Sequence, residues 1–136
     1  AAADAARRAP KLKLFAGGKS FGGRMTSRAQ ATAPLPDVRG LVFFAFPLHP
    51  AGKPAVERAA HLSEVALPML FLQGTRDALA ELDLLRPAVA KLGGRATLAL
   101  FAEADHVFHV PARTGREDAE VLAEILDAAA DWMTAR

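Results

Sequence analysis

Four short hydrophobic runs, separated by segments of helical spacing, determine the predicted architecture of the chain. The runs lie at residues 11–16, 40–46, 68–73 and 96–101. The second run, GLVFFAF, is apolar throughout, as expected of a strand that helices cover on both faces. Such strands, alternating with helices, form a parallel sheet through right-handed crossovers. We therefore predict a three-layer α/β sandwich with a mostly parallel, four-stranded sheet.

One helix is predicted before the first run, at residues 1–9, and three between the runs, at residues 21–33, 54–64 and 79–92. Pro87 lies inside the fourth of these and predicts a kink or a split. In the second helix, apolar residues at intervals of four predict one buried stripe, made of Phe21, Met25, Ala29 and Ala33.

The last predicted helix runs to about residue 134. Thr114 and Glu117 have the spacing of a capping box, which predicts that the helix begins there. Its apolar residues predict one buried face, made of Leu122, Ile125, Leu126, Ala129, Trp132 and Met133.

The composition favours a single globular domain over residues 1–136. Hydrophobic residues make up 51% of the chain, and the formal net charge is only +2. A small excess of Lys and Arg without a basic arm does not favour nucleic-acid binding. No apolar run approaches the roughly 18 residues of a membrane span, and the N-terminus lacks the apolar centre of a signal peptide. We therefore expect no nucleic-acid or membrane partner and, by default, a cytoplasmic location.

Polar residues with catalytic potential follow each of the four predicted strands. Ser20 follows the first strand, His49 the second, Asp77 the third and His106 the fourth. In an open parallel sheet, binding sites form where the carboxyl ends of the strands meet. We therefore expect these four side chains to lie along one edge of the sheet.

The segment around Ser20, GKSFG, fits the G-x-S-x-G pattern of a nucleophile elbow. In that motif the serine lies on a sharp strand-to-helix turn, and glycines two residues to either side, here Gly18 and Gly22, leave room for close backbone. A serine followed along the chain by an acid and then a histidine has the triad order of α/β-hydrolases.

This order predicts a specific role for each residue. Ser20 attacks a carbonyl, and His106 accepts its proton and later returns it to the leaving group. Asp77 fixes the tautomer of the imidazole and stabilises the imidazolium. The amide of Phe21, at the start of the following helix, donates to the oxyanion.

Other residues near these loops leave alternatives open. Asp77 is also a candidate helix cap, and Asp83 or Glu81 could replace it as the acid. His109 is the alternative base, although packing within the loop is its simpler role. Asp105 is expected to order the loop that carries the histidines.

The predicted substrate contacts are Lys19, His49 and Arg76. Lys19 and Arg76 carry positive charge close to the nucleophile and the acid, which would suit a small acyl group that bears a carboxylate. The expected apolar walls of the pocket are Phe21, Phe46, Leu48 and Phe108.

Two other kinds of site are not favoured. Gly18-Lys19-Ser20 also matches the end of a P-loop, but position 13, where the first glycine belongs, is Lys13. Nucleotide binding is therefore a minor alternative. There is no cysteine, and the four histidines lack the spacing of a metal cluster, so we expect no metal and no cofactor.

Four segments, GGKSFGGRM, GLVFFAFPLHPAGKP, PMLFLQGTRDALA and ADHVFHVP, resemble in this order short α/β-hydrolases of the dienelactone-hydrolase-like kind. They most resemble the subgroup related to the hydrolase-like domain of a nonspecific-lethal chromatin-complex subunit and of a testis-expressed protein. The resemblance covers most of the chain and implies an α/β-hydrolase fold. It also implies that Ser20, Asp77 and His106 are nucleophile, acid and base.

The chain departs from this family at its N-terminus. Such hydrolases have several strands and a helix before the elbow strand, and this part normally supplies a second oxyanion amide. The resemblance thus implies the C-terminal part of the fold, with the early strands missing and an apolar sheet edge left open. We expect either a truncated gene product or a partial sequence, or else another chain that covers this edge, such as a second copy that pairs along Lys11 to Ala16.

Two functions follow from the sequence. The first is a serine hydrolase that acts on a small ester, thioester or lactone. The second is a non-catalytic interaction module that keeps the hydrolase fold and the triad residues.

Overall fold

The computed structural model describes all 136 residues and contains four helices, four strands and a longer 3₁₀ helix. The helices are α1 (Ala2–Arg8), α2 (Phe21–Thr32), α3 (Leu82–Ala90) and α4 (Asp118–Thr134). The strands are β1 (Leu14–Lys19), β2 (Val38–Phe44), β3 (Met69–Gly74) and β4 (Ala96–Phe101). The 3₁₀ helix Glu57–Glu64 lies between β2 and β3, where the sequence predicted a short helix at 54–64.

The four strands form one sheet in the order β1-β2-β3-β4, and every neighbouring pair is parallel. The predicted parallel α/β sheet is therefore confirmed. Because all strands run the same way, their carboxyl ends and the loops that follow them lie along one edge of the sheet. β1 is an edge strand, so the pairing of two copies along this edge remains a prediction.

β1 begins and ends three residues later than predicted, because its pairing with β2 continues through the glycines. Gly18 pairs with Phe43 and Lys19 with Phe44, so the strand ends directly before Ser20. A Cβ on Gly17 would lie 2.0 Å from the carbonyl oxygen of Val42, so only glycine fits there. A P-loop would need a loop in this segment, so the strand excludes that minor alternative.

The core lies in two layers, one on each face of the sheet, as the three-layer prediction requires. The first layer joins strand residues to α3 and the 3₁₀ helix and includes Phe43, Phe46 and Phe71, whose ring centroids lie 4.9 to 5.7 Å apart. Burial of each such ring contributes roughly 1.5 to 3 kcal/mol. The second layer packs the sheet against α4, with Ile125 and Trp132 at its centre.

The predicted stripe on α2 is wrong. The buried residues of this helix are Gly23, Ser27 and Gln30, whereas Phe21 is 65% exposed. The helix lies so close to β1 that a Cβ on Gly23 would meet the carbonyl oxygen of Gly18. Close approach therefore selects small residues for the buried face, and the larger apolar residues point elsewhere.

Only part of the face of α4 that was predicted to be buried is buried in the structure. Its buried residues are Val121, Ile125, Ala129 and Trp132, while Leu122 and Leu126 are 47% and 51% exposed.

The predicted capping box is also wrong. The Thr114 hydroxyl donates to the carbonyl of Pro111 within a separate 3₁₀ turn, and the helix begins at Asp118.

α3 begins at Leu82, later than predicted, because Asp77 closes a turn before it. The side-chain carboxylate of Asp77 accepts a hydrogen bond from the amide of Leu79, and the backbone carbonyl of Asp77 accepts one from the amide of Ala80. Pro87 lies inside the helix, which continues to Ala90 and is not split. The longest helix of the chain has 17 residues, and none is both long and apolar enough to cross a membrane.

Candidate active site

Ser20 lies on a strained turn between the end of β1 and the first residue of α2. Its backbone has φ 50° and ψ −123°, a conformation that costs a non-glycine residue about 1 to 3 kcal/mol. The turn is held on both sides. The amide of Ser20 donates to the carbonyl of Phe44 at 2.8 Å, and its carbonyl accepts from the amide of Arg24 at 3.1 Å. The geometry is that expected of a nucleophile elbow.

The glycines that allow this turn are Gly18 and Gly23. A Cβ on Gly18 would lie 2.8 Å from the Gly23 nitrogen, and a Cβ on Gly23 would lie 2.6 Å from the Gly18 oxygen. A Cβ on Gly22 would meet nothing within 4 Å. The motif predicted that Gly22 must be glycine because other backbone lies too close for a side chain. This part of the prediction is wrong, because α2 turns Gly23, not Gly22, toward β1.

His106 lies in the loop after β4, which is closed by Asp105. The Asp105 carboxylate accepts from the amides of Val107 and His109, both at 2.9 Å. The Asp105 amide donates to the carbonyl of His109, and Phe108 is buried in the core beneath the loop. The prediction that Asp105 orders this loop is confirmed.

The loop also lies directly against the end of β3. A Cβ on Gly74 would lie 2.2 Å from the carbonyl oxygen of Ala104, and that carbonyl accepts from the amide of Arg76 at 2.9 Å. Glycine at this position lets the loop after β4 approach the loop after β3. The histidine and the acid are brought together by this contact.

The structure places Ser20, His106 and Asp77 in one hydrogen-bonded chain. The Oγ of Ser20 lies 2.7 Å from Nε2 of His106, and Nδ1 of the same ring lies 2.8 Å from Oδ2 of Asp77. Since an ionised carboxylate only accepts, Nδ1 carries the proton and Nε2 is free to accept the Ser20 proton. The His106 ring is 20% exposed and the Asp77 side chain is fully buried.

Gln73, which the sequence analysis missed, completes the surroundings of Asp77. Its Nε2 donates to Oδ2 of Asp77 at 2.6 Å, and its Oε1 accepts from the amide of Phe46 at 3.0 Å. The Asp77 carboxylate thus accepts from Gln73, His106 and the amide of Leu79. The only sequence signal for Gln73 is a polar residue at the end of an otherwise apolar strand.

His109, the alternative base, does not reach Ser20. Its Nδ1 pairs with Oδ2 of Asp118 at 2.8 Å on the surface, and the ring is 60% exposed. The hydrogen bond to Asp118, followed by the charge of that carboxylate, raises the pKa of His109. The same hydrogen bond, with another from the amide of Val110, lowers the pKa of Asp118. His109 therefore ties the loop that carries His106 to the start of α4.

His49, predicted to contact substrate, is fully buried. Its Nδ1 donates to the carbonyl of Pro50 at 2.8 Å, and its Nε2 accepts from the amide of Glu81 at 3.0 Å. Both ring nitrogens are used within the protein, so the structure gives no support to the predicted substrate contact. His49 instead ties the loop after β2 to the start of α3.

The two predicted cationic contacts differ. Lys19 is exposed beside Ser20 and has no ion-pair partner. Arg76 pairs with Glu103, which also pairs with Arg113. The hydrogen bond from Arg113 is the main cause that lowers the pKa of Glu103. Of these two predicted contacts, only Lys19 is free of an ion pair.

The predicted apolar walls are mostly core residues. Phe46, Leu48 and Phe108 are at most 5% exposed, and only Phe21 is open to solvent. The predicted pocket lining is wrong for these three, because the apolar positions near the loops pack into the two core layers.

The arrangement can carry out proton transfer at Ser20. A hydroxyl hydrogen-bonded to an imidazole, itself oriented by a buried carboxylate, is suited to nucleophilic attack on a carbonyl. The amide of Phe21 is the first of α2, where N–H groups lack intrahelical acceptors and the helix dipole favours negative charge.

Comparisons with known proteins agree with the fold. The model of a family described as an alpha/beta hydrolase domain matches residues 1–134. XC6422 of Xanthomonas campestris, an α/β serine hydrolase without a lid, is similar with a TM-score of 0.66 at 22% identity, over 96% of this chain and 53% of that one.

Two further solved structures are similar. A candidate dienelactone hydrolase from Klebsiella pneumoniae has a TM-score of 0.68 at 22% identity, over 99% of this chain and 57% of that one. An esterase domain from Rhodothermus marinus has a TM-score of 0.59 at 18% identity, over 93% of this chain and 64% of that one. At these identities the likeness shows the fold, and the chain spans less than two thirds of the length of each.

Proposed function

We propose that this chain, which belongs to the α/β-hydrolase domain family, is a serine hydrolase that cleaves a small ester, thioester or lactone. The observation that carries the proposal is the hydrogen-bonded chain from Ser20 through His106 to Asp77. No other serine of the chain combines a hydrogen bond to an imidazole with a positive-φ turn at the carboxyl edge of the sheet.

The geometry supports a two-step reaction. Ser20 Oγ attacks the carbonyl carbon while its proton moves to Nε2 of His106, and Asp77 stabilises the resulting imidazolium. The C–O or C–S bond to the leaving group then breaks, and the leaving group takes the proton from Nε2. Water attacks the acyl-Ser20 ester by the same proton transfer, which releases the acid and restores the hydroxyl.

The amide of Phe21 is the proposed oxyanion donor of this chain. It follows Ser20 directly and lies at the start of α2. One oxyanion-hole donor can contribute about 3 kcal/mol to transition-state stabilisation. A second donor, which the family resemblance implies, is not assigned to any residue of this chain.

The proposed substrate is small and anionic at one end. Lys19 is exposed next to the nucleophile without a carboxylate partner and would attract a carboxylate on the acyl group. The Klebsiella structure named for dienelactone hydrolysis and the Rhodothermus esterase domain support an ester or lactone as the scissile group.

A non-catalytic interaction module remains the second candidate. It is favoured by the burial of Phe46, Leu48 and Phe108 in the core, which removes three of the four apolar side chains that were expected to line a substrate pocket. In that case the Ser20–His106–Asp77 chain would be retained for stability alone.

A fluorophosphonate probe separates the two functions. We expect the folded chain to be labelled, Ser20→Ala to lose all labelling, and Ser63→Ala to keep it. Ser63 is the matched control because it is exposed and bonds only to the carbonyl of Ala60. A folded chain that is not labelled at Ser20 would favour the interaction module.

A further inference from the structure

Basic side chains from two helices meet at the contact between α2 and the 3₁₀ helix Glu57–Glu64. Arg24 and Arg28 lie one turn apart on α2, and Arg58 and His61 lie three residues apart on the 3₁₀ helix. Residues at these spacings share one helix face. We call these four residues the basic seam.

Ser27 joins the two sides of the basic seam. Its Oγ lies 2.7 Å from Nε2 of His61 and donates its own proton to the carbonyl of Arg24, also at 2.7 Å. Nε2 of His61 must therefore be the donor to Ser27. Because Ser27 is fully buried and its proton is engaged, this second Ser–His pair is a structural tie and not a second nucleophile.

No carboxylate neutralises the arginines of the basic seam. The arginines that form ion pairs lie elsewhere, at Arg7, Arg8, Arg76, Arg113 and Arg116. Burial, followed by the charges of Arg58 and Arg28, lowers the pKa of Arg24. Burial, followed by the charges of Arg24 and Arg28, lowers the pKa of His61. These like charges repel one another, and a bound anion would relieve the repulsion.

Arg24 also has an unused donor. Its Nε is buried and has no hydrogen-bond partner. Buried donors are nearly always paired, because an unpaired one loses its water without compensation. A guanidinium presents its N–H groups in a planar fork that matches the oxygens of a carboxylate or a phosphate. An anion bound between these arginines would supply the acceptor that this Nε lacks.

We propose that the basic seam binds the phosphate group of a small molecule. Three guanidinium groups without an acid match the double charge of a phosphate monoester better than the single charge of a carboxylate. The site is separate from the proposed hydrolase reaction and does not use Ser20, Asp77 or His106.

Calorimetric titration with inorganic phosphate tests the basic seam. We expect saturable binding to the wild type, weaker binding of acetate, and a loss of about tenfold in affinity in both Arg28→Gln and Arg58→Gln. Arg86→Gln is the matched control, since Arg86 is an exposed helical arginine without an ion pair. It removes the same charge and should keep the affinity.

Two further titrations identify the kind of phosphate that binds and test whether it binds at the basic seam. Tighter binding of glycerol phosphate than of inorganic phosphate would identify a phosphorylated metabolite, and equal binding would identify free phosphate; both support the site. Ser20→Ala should bind as the wild type does.

Three results would overturn the proposal. The first is that the wild type shows no saturable binding of phosphate. The second is that Arg86→Gln loses as much phosphate affinity as Arg28→Gln does. The third is that Lys19→Gln loses phosphate affinity while Arg28→Gln keeps it. The last would place the anion beside the nucleophile. Arg28 is exposed, so Arg28→Gln decides the outcome if circular dichroism shows that Arg58→Gln does not fold.

Discussion

Gln73 donates from Nε2 to Oδ2 of Asp77 at 2.6 Å, and the same carboxylate oxygen accepts from Nδ1 of His106. Gln73 is fully buried, and its Oε1 is held by the amide of Phe46. The side-chain amide therefore cannot turn away from the acid. In the proposed hydrolase, Gln73 would be a positioning residue, since it holds the carboxylate that in turn holds the imidazole.

Replacing Gln73 should lower turnover more than substrate binding. In Gln73→Leu, Asp77 loses a charge-assisted hydrogen bond in the protein interior, and we expect kcat on a small chromogenic ester to fall about tenfold with little change in KM. Gln30→Leu is the control, because Gln30 is also buried but bonds to the amide of Leu35, away from the site. Equal losses of kcat in both variants would mean that Gln73 is only structural.

The two glycines after Ser20 should respond in opposite directions. Gly23→Ala places a methyl group 2.6 Å from the carbonyl oxygen of Gly18, and we expect a loss of about 2 kcal/mol in the free energy of unfolding. Gly22→Ala meets no atom within 4 Å and replaces glycine within a helix, so it should gain about 0.5 to 1 kcal/mol. Urea denaturation measures both, and a greater loss in Gly22→Ala would contradict this packing of α2.

The strands and the triad residues could be read from the sequence because each depends on a local pattern. An apolar run followed by a polar loop locates the strand end, and parallel strands bring the ends together. Ser20, Asp77 and His106 lie in the loops that follow such runs, so the topology brings them to one edge of the sheet. The close contact of Gly74 with Ala104, which no local pattern shows, then brings the loops of Asp77 and His106 together.

The features that the sequence did not show depend on contacts between distant segments. Gln73 is held beside Asp77 by the amide of Phe46, which lies 27 residues away along the chain. His49 is buried because the amide of Glu81 reaches its ring from the start of α3. The buried face of α2 follows from its close approach to β1, which apolar periodicity cannot report.

Sedimentation tests the predicted pairing of two copies along β1. This strand has a partner on one side only, and Leu12 beside it is 75% exposed. We expect a species of twice the 14.4 kDa of one chain. Lys11, Lys13 and Lys19 carry like charge along this edge, so added salt should strengthen the dimer by screening them. A stable monomer at all concentrations would exclude this pairing.

The ion pair between His109 and Asp118 should make the stability of the loop that carries His106 depend on pH. Asp118 raises the pKa of His109, so this stabilisation is complete below the unfolded value of 6.5 and is lost as pH rises through the folded pKa. His109 lowers the pKa of Asp118, so the carboxylate's share is present above its unfolded value of 3.8 and is lost on acidification. The pair therefore contributes most between these two values.

Asp118→Asn measures this contribution. The amide oxygen can still accept from the amide of Val110, so the variant removes the charge and keeps the start of α4. We expect the loss in melting temperature to be larger at about pH 5.5 than at about pH 8.5, because more of His109 is protonated at the lower pH. Asp127→Asn, on an exposed position of the same helix, should show no such difference. Equal losses at both pH values in Asp118→Asn would mean that the neutral hydrogen bond, and not the charge pair, fastens the loop that carries His106.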